Sequence, residues 1–292
     1  MNKRKGIILA GGIGTRLYPL TMGVSKQLMP IYDKPMIYYP LSVLMLSGIR
    51  EIAIINTPDE QAQFKKVLGD GSQWGVSFKF IEQPSPDGLA QAYIISEEFL
   101  DGSDSVMVLG DNIFYGVGLI SLLEKANDKP LGGTIFGYQV IDPEKYGVIE
   151  FGTNQQVISI KEKPSKPASN FAVTGLYFLD ETAPERAKRV KPSKRGELEI
   201  VDLLESYLSE ASLSVEFMSR GYAWLDTGTH ESLLEASEFV KSLQTRQGLQ
   251  IGCPEEIAFN KGWITKEELK ERAELFSSNY YGNYLLKLLE QD

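Results

Sequence analysis

The sequence predicts an α/β fold built on a mostly parallel β-sheet with helices on both faces. Between residues 1 and 140, apolar runs of strand length alternate with longer segments that have the length and apolar spacing of helices. Such alternation is typical of βαβ units, in which the strands lie parallel and the connecting helices cover the sheet. Because such sheets bind ligands at the carboxyl ends of their strands, the residues after each predicted strand are the first candidates for a functional site.

The individual elements follow from this pattern in chain order. Strands are predicted at residues 6–10, 51–55, 77–81, 105–109 and 133–139, and helices at 36–46, 60–68, 89–99 and 118–126. Beyond residue 146, shorter β-rich runs separated by polar loops are predicted at 147–151, 157–161 and 172–179. Further helices are predicted at 199–208 and 231–243, and two or three more within 254–289. We therefore predict a Rossmann-like sheet, a β-rich subregion and a C-terminal helical tail.

The composition excludes several classes of function. The chain has 292 residues and a formal net charge of -9, so it lacks the positive field that a polynucleotide partner requires. No apolar run is long enough to span a membrane, and the N-terminal run at residues 7–10 is too short for the apolar region of a signal peptide. The single cysteine, Cys253, excludes an internal disulfide and is consistent with a reducing cytoplasm. His230 is the only histidine, so a zinc site or a histidine-based triad would be short of residues.

A glycine-rich loop follows the first predicted strand. Gly11, Gly12 and Gly14 permit backbone conformations in which successive N–H groups form a nest for an anion. Arg16 and Lys26 add positive charge close by in the sequence. These residues favour a cradle for a polyphosphate over the alternative, which is a tight turn with surface cations.

Neither of two common phosphate-binding motifs fits this loop. The P-loop spacing Gly-x-x-x-x-Gly-Lys-Ser/Thr does not occur between Gly11 and Lys26. A dinucleotide fingerprint would place its third small residue at Leu17, and Pro19 and Pro30 keep the stretch irregular. The loop is therefore expected to wrap its ligand, which argues against a nicotinamide dehydrogenase and against a P-loop ATPase.

Polar residues elsewhere suggest ligand contacts, each with an ordinary structural alternative. Asp111 and Asp226 each follow an apolar strand, where a carboxylate can hold Mg²⁺ or cap a turn. Gln83 lies in a loop stiffened by two prolines and can pair with a pyrimidine edge or lie exposed. Lys163 belongs to a charge cluster that is either a ligand contact or a solvated surface. The residues alone leave these alternatives open.

Longer motifs carry a resemblance to a known family. They are Leu-Ala-Gly-Gly-Ile-Gly-Thr-Arg-Leu at 9–17, Ser-Lys-Gln-Leu at 25–28, residues 33–40 and 82–92, Gly-Asp-Asn at 110–112, Val-Thr-Gly-Leu-Tyr at 173–177, Arg-Gly-Glu-Leu-Glu-Ile at 195–200 and Trp-Leu-Asp-Thr-Gly-Thr at 224–229. Together they span nearly the whole chain. They resemble the motifs of sugar-nucleotide pyrophosphorylases, and most closely those of the members that use dTTP and glucose 1-phosphate.

The resemblance implies a reaction and a site. The implied enzyme is a nucleotidyltransferase that joins dTTP and α-D-glucose 1-phosphate to give dTDP-glucose and pyrophosphate, the first step of dTDP-deoxysugar (dTDP-rhamnose type) synthesis for polysaccharide. It further implies Mg²⁺ on Asp111 and Asp226 and a cytoplasmic homotetramer. Catalytic roles fall to Arg16, Lys26 and Lys163, nucleotide contacts to Gly11, Gly14, Thr15, Gln27, Gln83 and Gly88, and sugar-phosphate contacts to Asn112, Gly147, Glu162, Val173 and Arg195.

The resemblance also implies a division of the chain. Residues 1–240 would form the nucleotidyltransferase domain, with a nucleotide part at about 1–140 and a sugar part at about 141–240. Residues 241–292 would form a helical segment that is not autonomous. We expect apolar residues of this segment to build a helical surface for subunit contacts, namely Ile257, Phe259, Trp263, Leu269, Phe276 and Leu285.

Two other functions stay open. Within enzymes, the alternative is a nucleotidyltransferase that uses UTP or another sugar phosphate, which the base loop and the sugar pocket would decide. In a different class, the chain could be a regulatory sugar-nucleotide binder that has lost catalysis. The presence of both cations and both aspartates named above argues against such a binder.

Overall fold

Apolar strands that are buried on both faces dictate a central sheet covered by helices. The computed structural model describes residues 4–12, 14–129 and 131–290. Ile13 of the glycine loop, and the ends 1–3 and 291–292 of the predicted domains, lie outside the described residues. Within these ranges the principal sheet has nine strands.

The elements have the following bounds. The strands are Lys5–Leu9 (β1), Pro30–Ile31 (β2), Lys34–Pro35 (β3), Glu51–Asn56 (β4), Ser77–Glu82 (β5), Ser105–Leu109 (β6), Asn112–Gly116 (β7), Gly133–Gln139 (β8), Gly147–Phe151 (β9), Val157–Glu162 (β10), Phe171–Leu179 (β11), Leu213–Met218 (β12) and Tyr222–Asp226 (β13). The helices are Tyr38–Leu46 (α1), Gln61–Leu68 (α2), Gln91–Ile95 (α3), Glu97–Leu100 (α4), Leu119–Asn127 (α5), Ala183–Ala187 (α6), Ile200–Ser209 (α7), His230–Gln247 (α8), Pro254–Asn260 (α9), Lys266–Leu275 (α10) and Tyr280–Leu288 (α11).

The half of the principal sheet that contains the glycine loop is parallel. The full strand order is β10-β9-β11-β6-β1-β4-β5, with β8 beside β11 and β12 beside β8. β5, β4, β1 and β6 lie side by side in one direction, so their carboxyl ends meet at one edge. Beyond β6 the sheet is mixed, because the long strand β11 runs antiparallel to its neighbours β6, β8 and β9. The β-rich runs after residue 146 therefore extend the same sheet. The predicted α/β fold with a mostly parallel central sheet and a helical tail is confirmed.

Alternation along the strands gives the protein a core on each face of the sheet. In β4, Ile52 and Ile54 face one apolar cluster, whereas Ala53 and Ile55 face the other. This follows from the two-residue period of a strand, and it explains why the buried strands are apolar throughout. The two clusters hold the sheet rigid behind the loops at its edge.

One predicted helix is wrong in its extent. The apolar spacing predicts one helix over residues 89–99, but α3 and α4 are separated at Ser96. The Ser96 hydroxyl donates a hydrogen bond of 2.5 Å to the carbonyl of Ala92, and such a bond bends a helix away from its regular path. The pattern also failed to predict the strand pair β2–β3, strands β7 and β12, and helix α6.

The C-terminal segment packs against the first half of the chain. Helix α9 contacts α1, and α10 and α11 pack on one another. Leu269 and Leu285 are fully buried in the cluster that contains Trp74. The other apolar residues predicted for a subunit contact lie half-buried against this same cluster, namely Ile257, Phe259, Trp263 and Phe276. That contact stays a prediction, although these side chains are largely engaged within their own chain.

In the part of the chain that the structure describes, no helix is both long and apolar enough to cross a bilayer.

Candidate active site

The parallel edge gathers three of the predicted stretches. The glycine loop leaves β1, Gln83 follows β5, and Asp111 follows β6. Gly11 and Gln83 lie in contact, because a Cβ added at Gly11 would lie only 1.9 Å from Gln83 Oε1. A Cβ at Gly110 would likewise lie 2.9 Å from Gln27 Cγ. Glycine at both positions thus allows a buried glutamine to approach the backbone at the strand ends.

Asp111 is held in place by two hydrogen-bond donors. Lys26 Nζ lies 2.5 Å from Asp111 Oδ2, and Asn112 Nδ2 donates to Oδ1 at 2.8 Å. Burial disfavours the charged carboxylate, but the charge and hydrogen bond of Lys26, together with Asn112, outweigh it and lower the pKa of Asp111. The side chain of Lys26 is only 6% exposed, so water screens this pair little. Asp111 is therefore a fixed negative charge at neutral pH.

Asp226 is the last residue of β13, and this strand pairs with β7, which begins directly after Asp111. β13 pairs antiparallel with β7, and this register sets Asp226 opposite Asn112. Thr227 strengthens the junction, because its hydroxyl donates to the Asp111 carbonyl at 2.9 Å. Burial, and next the negative charge of Asp111, raise the pKa of Asp226 to about 6. Two carboxylates at one sheet edge repel one another when both are ionised. A bound cation offsets this repulsion, so the pair is a suitable site for one.

Arg16 reaches the same carboxylates from the glycine loop. Gly14 adopts a φ of 68°, after which residues 15–17 form a short 3-10 turn. A Cβ added at Gly228 would lie 3.1 Å from Arg16 Nη2 and 3.2 Å from Asp226 Oδ1, so the guanidinium and this carboxylate both approach the same glycine. Arg16 and Thr15 are exposed, in contrast to the buried Lys26. The loop therefore offers one exposed cation and one buried, paired cation to the same site.

A second charged cluster faces the aspartates from the β-rich side. Glu162 Oε1 lies 3.6 Å from Lys163 Nζ and 3.2 Å from Arg195 Nη2, and Arg195 also pairs with Glu199 at 2.9 Å. Burial raises the pKa of Glu162, and together with the charge of Glu199 it outweighs the opposing charges of Lys163 and Arg195. Lys163 has a φ of 42°, a conformation that costs energy for a non-glycine residue and that clusters at functional sites.

The remaining predicted residues have tightly packed backbones. Gly88 has a φ of 110°, and a Cβ there would lie 2.4 Å from the carbonyl oxygen of Leu198. Gly147 lies opposite Glu162 where β9 pairs with β10, and Val173 is buried on β11. The Gly88 contact joins the loop after β5 to the segment that carries Arg195.

A cavity of about 930 Å³ unites most of these groups. Its lining includes Arg16, Asp111, Asn112, Gly147, Glu162, Lys163, Val173, Arg195 and Asp226. The lining does not include the predicted residues Gly11, Gly14, Thr15, Lys26, Gln27, Gln83 and Gly88. Of these, Lys26 pairs with Asp111, which does line the cavity. Gln83 and Gly11 instead contact one another at the ends of β5 and β1.

Two lining residues have roles that the sequence did not reveal. Trp224 Nε1 donates to Asn112 Oδ1 at 2.6 Å, and Gly175 N donates to the same oxygen at 3.2 Å. With Oδ1 accepting both bonds, Asn112 must turn Nδ2 towards Asp111. Both residues lie within motifs that carried the family resemblance, which was the only signal available for them.

The donor set fits a divalent cation that takes further ligands from a substrate. In the described ranges no group of three or more His, Cys, Asp or Glu side chains could hold a metal by itself. Asp111 and Asp226 offer hard oxygen ligands, which suit Mg²⁺ bound through one or two carboxylates plus phosphates and water.

Comparison with known proteins agrees with this geometry. A family profile described as nucleotidyl transferase matches residues 5–242. The glucose-1-phosphate thymidylyltransferase of Xanthomonas campestris pv. campestris is 61% identical over 291 residues, covering 100% of this chain and 99% of the relative. The enzyme of the same name from Mycobacterium tuberculosis is 53% identical, covering 99% of this chain and 100% of the relative.

Solved structures give the same result. A Bacillus anthracis protein, provisionally named a glucose-1-phosphate thymidylyltransferase and solved with a sucrose, is 39% identical with a TM-score of 0.75, covering 81% of this chain and 94% of its own. A UDP-glucose pyrophosphorylase solved with UDP-glucose shares the fold at 24% identity and a TM-score of 0.73, covering 82% of this chain and 99% of its own. The chain therefore belongs to the nucleotidyl transferase family and, within it, to the glucose-1-phosphate thymidylyltransferases.

Proposed function

We propose that this enzyme transfers the dTMP moiety of dTTP to α-D-glucose 1-phosphate, giving dTDP-glucose and pyrophosphate. The observation that carries the proposal is the 61% identity to a named relative over the whole chain. The charge pattern of the cavity supports it, since cations from two sides surround a pair of carboxylates. The product would enter dTDP-deoxysugar synthesis of the dTDP-rhamnose type, in the cytoplasm.

The proposed chemistry needs no general base. A phosphate oxygen of the sugar attacks the α-phosphorus of dTTP, and the bond from that phosphorus to the bridging oxygen of the β-phosphate breaks. The attacking monoester has a second pKa near 6 and is already ionised at neutral pH. This is consistent with a chain whose only histidine, His230, lies exposed at the start of α8. Catalysis then depends on in-line positioning and on charge neutralisation.

The cations would divide this work. We assign Arg16 and Lys26 to the triphosphate and the departing pyrophosphate, because Lys26 pairs with Asp111 and Arg16 approaches Gly228 close to Asp226. Lys163 would align the sugar phosphate against its repulsion from the triphosphate. The remaining sugar-side contacts would come from Asn112, Gly147, Glu162, Val173 and Arg195.

The nucleotide would lie across the carboxyl ends of the parallel strands. Gly11, Gly14 and Thr15 would cradle its phosphates, and Gln27, Gln83 and Gly88 would contact its base. The contact between Gly11 and Gln83 supports this arrangement, because it brings the cradle and the base loop together.

Family members generally use a divalent metal ion. We propose that here the ion is Mg²⁺, held by Asp111 and Asp226, where it would offset the phosphate charges. We further propose a homotetramer, and a nucleotidyltransferase domain at about 1–240 followed by a dependent helical segment at 241–292. The match of the family profile to residues 5–242 supports this boundary. Light scattering on the purified full-length protein tests the assembly.

Pyrophosphate release from purified protein tests the reaction. The assay crosses dTTP, dUTP, UTP and dCTP with glucose 1-phosphate, galactose 1-phosphate and mannose 1-phosphate, with and without chelator. The highest rate is expected for dTTP with glucose 1-phosphate in Mg²⁺. A preference for UTP would favour the alternative nucleotidyltransferase. An absence of pyrophosphate release for every pair would favour a binder without catalysis.

A further inference from the structure

Three side chains of the loop after β5 form a hydrogen-bonded chain that ends on the buried glutamine. Gln83 Nε2 donates to Gln91 Oε1 at 2.7 Å, and Gln91 Nε2 donates to Asp87 Oδ2 at 2.8 Å. Asp87 is exposed, Gln91 is half-buried and Gln83 is only 4% exposed. The chain therefore runs inward from the surface to the Gly11 contact.

Because the Asp87 carboxylate can only accept hydrogen bonds, it fixes the orientation of the side-chain amides of Gln91 and Gln83. An ionised carboxylate only accepts hydrogen bonds, so Gln91 must turn its NH₂ group towards Asp87. That leaves Gln91 Oε1 facing inward, where it can only accept, and Gln83 must in turn point its own NH₂ group at it. Asp87 thus decides which way the amide of Gln83 points, although the two side chains make no direct bond.

Neighbouring groups hold both ends of this hydrogen-bonded series of side chains in place. Ser85 Oγ donates to Asp87 Oδ2 at 2.5 Å, and the Asp87 carbonyl accepts from Leu198 N at 2.6 Å. At the inner end, Gln83 Oε1 lies 1.9 Å from the position that a Cβ of Gly11 would occupy. The amide is accordingly presented at the glycine loop with a defined acceptor and one remaining N–H donor.

We infer that Asp87 and Gln91 are positioning residues that select a pyrimidine with the hydrogen-bonding edge of thymine or uracil over cytosine. The inference rests on the proposed function, in which Gln83 contacts the base. Thymine and uracil offer an N3–H donor beside an O4 acceptor, whereas cytosine offers the reverse, an N3 acceptor beside an N4 donor. A fixed amide matches one edge only, while an amide free to turn over fits both.

The experiment compares kcat/KM for dTTP, dUTP and dCTP with glucose 1-phosphate. Asp87→Asn supplies either a donor or an acceptor to Gln91, so both amides can turn over. We expect the dTTP:dCTP ratio to fall about tenfold or more, as expected when a buried hydrogen bond is no longer enforced. The dTTP:dUTP ratio should stay unchanged, because the two bases share this edge.

A double variant separates orientation from stability. In Asp87→Asn/Gln91→Glu, the asparagine NH₂ can donate to the new carboxylate, and that carboxylate again forces Gln83 to donate. The dTTP:dCTP ratio should return towards the wild-type value. Asp70→Asn is the matched control, because Asp70 is another exposed aspartate that accepts from a serine hydroxyl, Ser72 Oγ at 2.7 Å.

The outcomes distinguish the proposed orienting role of Asp87 and Gln91, here called the relay, from the proposed reaction. A wild type that turns over dTTP, with an unchanged dTTP:dCTP ratio in Asp87→Asn, would overturn the relay and leave the proposed function standing. Loss of selectivity without recovery in the double variant would also overturn it, since altered folding would explain that result. A wild type that turns over none of the three nucleotides would overturn both.

Discussion

At the scale of single residues, the two cations that follow the glycine loop have different surroundings and hence different predicted effects. Arg16 is exposed and makes no ion pair within 4 Å in the described part of the chain, whereas Lys26 is buried against Asp111. An exposed cation can move to meet a phosphate and contributes little to folding. A buried cation that pairs with a carboxylate supports both the site and the fold.

We therefore predict that Arg16→Ala lowers turnover by orders of magnitude and changes the melting temperature by little. Loss of a charge-stabilising group for the transition state typically costs about 10²-fold or more in rate. Steady-state kinetics and a melting curve on one preparation check this. Arg189→Ala, another exposed arginine, is the control. Near-normal turnover in Arg16→Ala would contradict the assignment.

Lys26→Met should lower both turnover and stability. The methionine fills the buried stem but leaves the Asp111 carboxylate without its cation, at a cost of roughly 2 kcal/mol or more. Thermal unfolding measures this loss. The double variant Lys26→Met/Asp111→Asn should regain most of the stability and none of the activity. If the single variant melts like the wild type, the pair does not support the fold.

Asp226→Asn should abolish turnover yet stabilise the metal-free protein at neutral pH. The pKa of Asp226 lies above its ordinary value of 3.8, at about 6, because of burial and Asp111. The folded protein thus binds this proton more tightly than the unfolded chain, and stability falls as the pH rises from about 4 to about 6. The asparagine avoids this penalty of roughly 1–3 kcal/mol. Melting curves in chelator should show a gain at pH 7.5 that shrinks towards pH 4.

Much of the site could be predicted residue by residue, and the omissions have physical causes. Glycines, cations and aspartates after apolar strands are visible in the sequence. The register that places Asp226 opposite Asn112 is not, because β7 and β13 pair across a long stretch of intervening chain. Trp224 and Gly175 act through Asn112, and no local pattern reports hydrogen bonds between such distant segments.

At the scale of secondary-structure elements, the strands that the sequence predicts most clearly are the buried ones. Strands such as β1, β4 and β6 are buried on both faces and therefore form unbroken apolar runs. β12 is different: its alternating residues have the period of a half-buried strand, yet the run is only six residues long and was not predicted. Its pairing with β8, far back in the chain, could not be seen in the sequence. The break between α3 and α4 depends on one serine hydroxyl, which a pattern of apolar spacing does not register.

The tail helices depend on a buried ion pair between α9 and α10. Glu255 is fully buried and accepts from Tyr281 Oη at 2.5 Å and from Arg272 Nη2 at 3.1 Å. Arg272→Leu leaves the carboxylate without a cation and should cost roughly 2–4 kcal/mol. Lys270 Nζ lies 3.9 Å from Glu274 Oε1 in an exposed ion pair, and its removal in Lys270→Ala should change stability by less than about 0.5 kcal/mol. Equal melting temperatures for the two variants would show that the pair does not hold the tail.

At the scale of the whole molecule, the site ties together segments that are far apart in the chain. The loop after β1 supplies Arg16 and Lys26, the end of β6 supplies Asp111, and β13 supplies Asp226. The residue after β10, Lys163, closes the opposite wall of the cavity. A ligand that contacts all these segments must stabilise the entire fold, because it binds only when they are assembled.

Binding of dTTP with Mg²⁺ should therefore raise the melting temperature much more than either component alone. At a ligand concentration about 100-fold above Kd, the gain is about 2.7 kcal/mol. Mg²⁺ alone should have little effect, because Lys26 already neutralises Asp111 and much of the coordination must come from phosphates. Chelator should remove the added stability, and Asp226→Asn should reduce it even in excess Mg²⁺. If Mg²⁺ without nucleotide stabilised the protein as strongly as the pair does, the two aspartates would hold the ion by themselves, and the proposed sharing with substrate phosphates would be wrong.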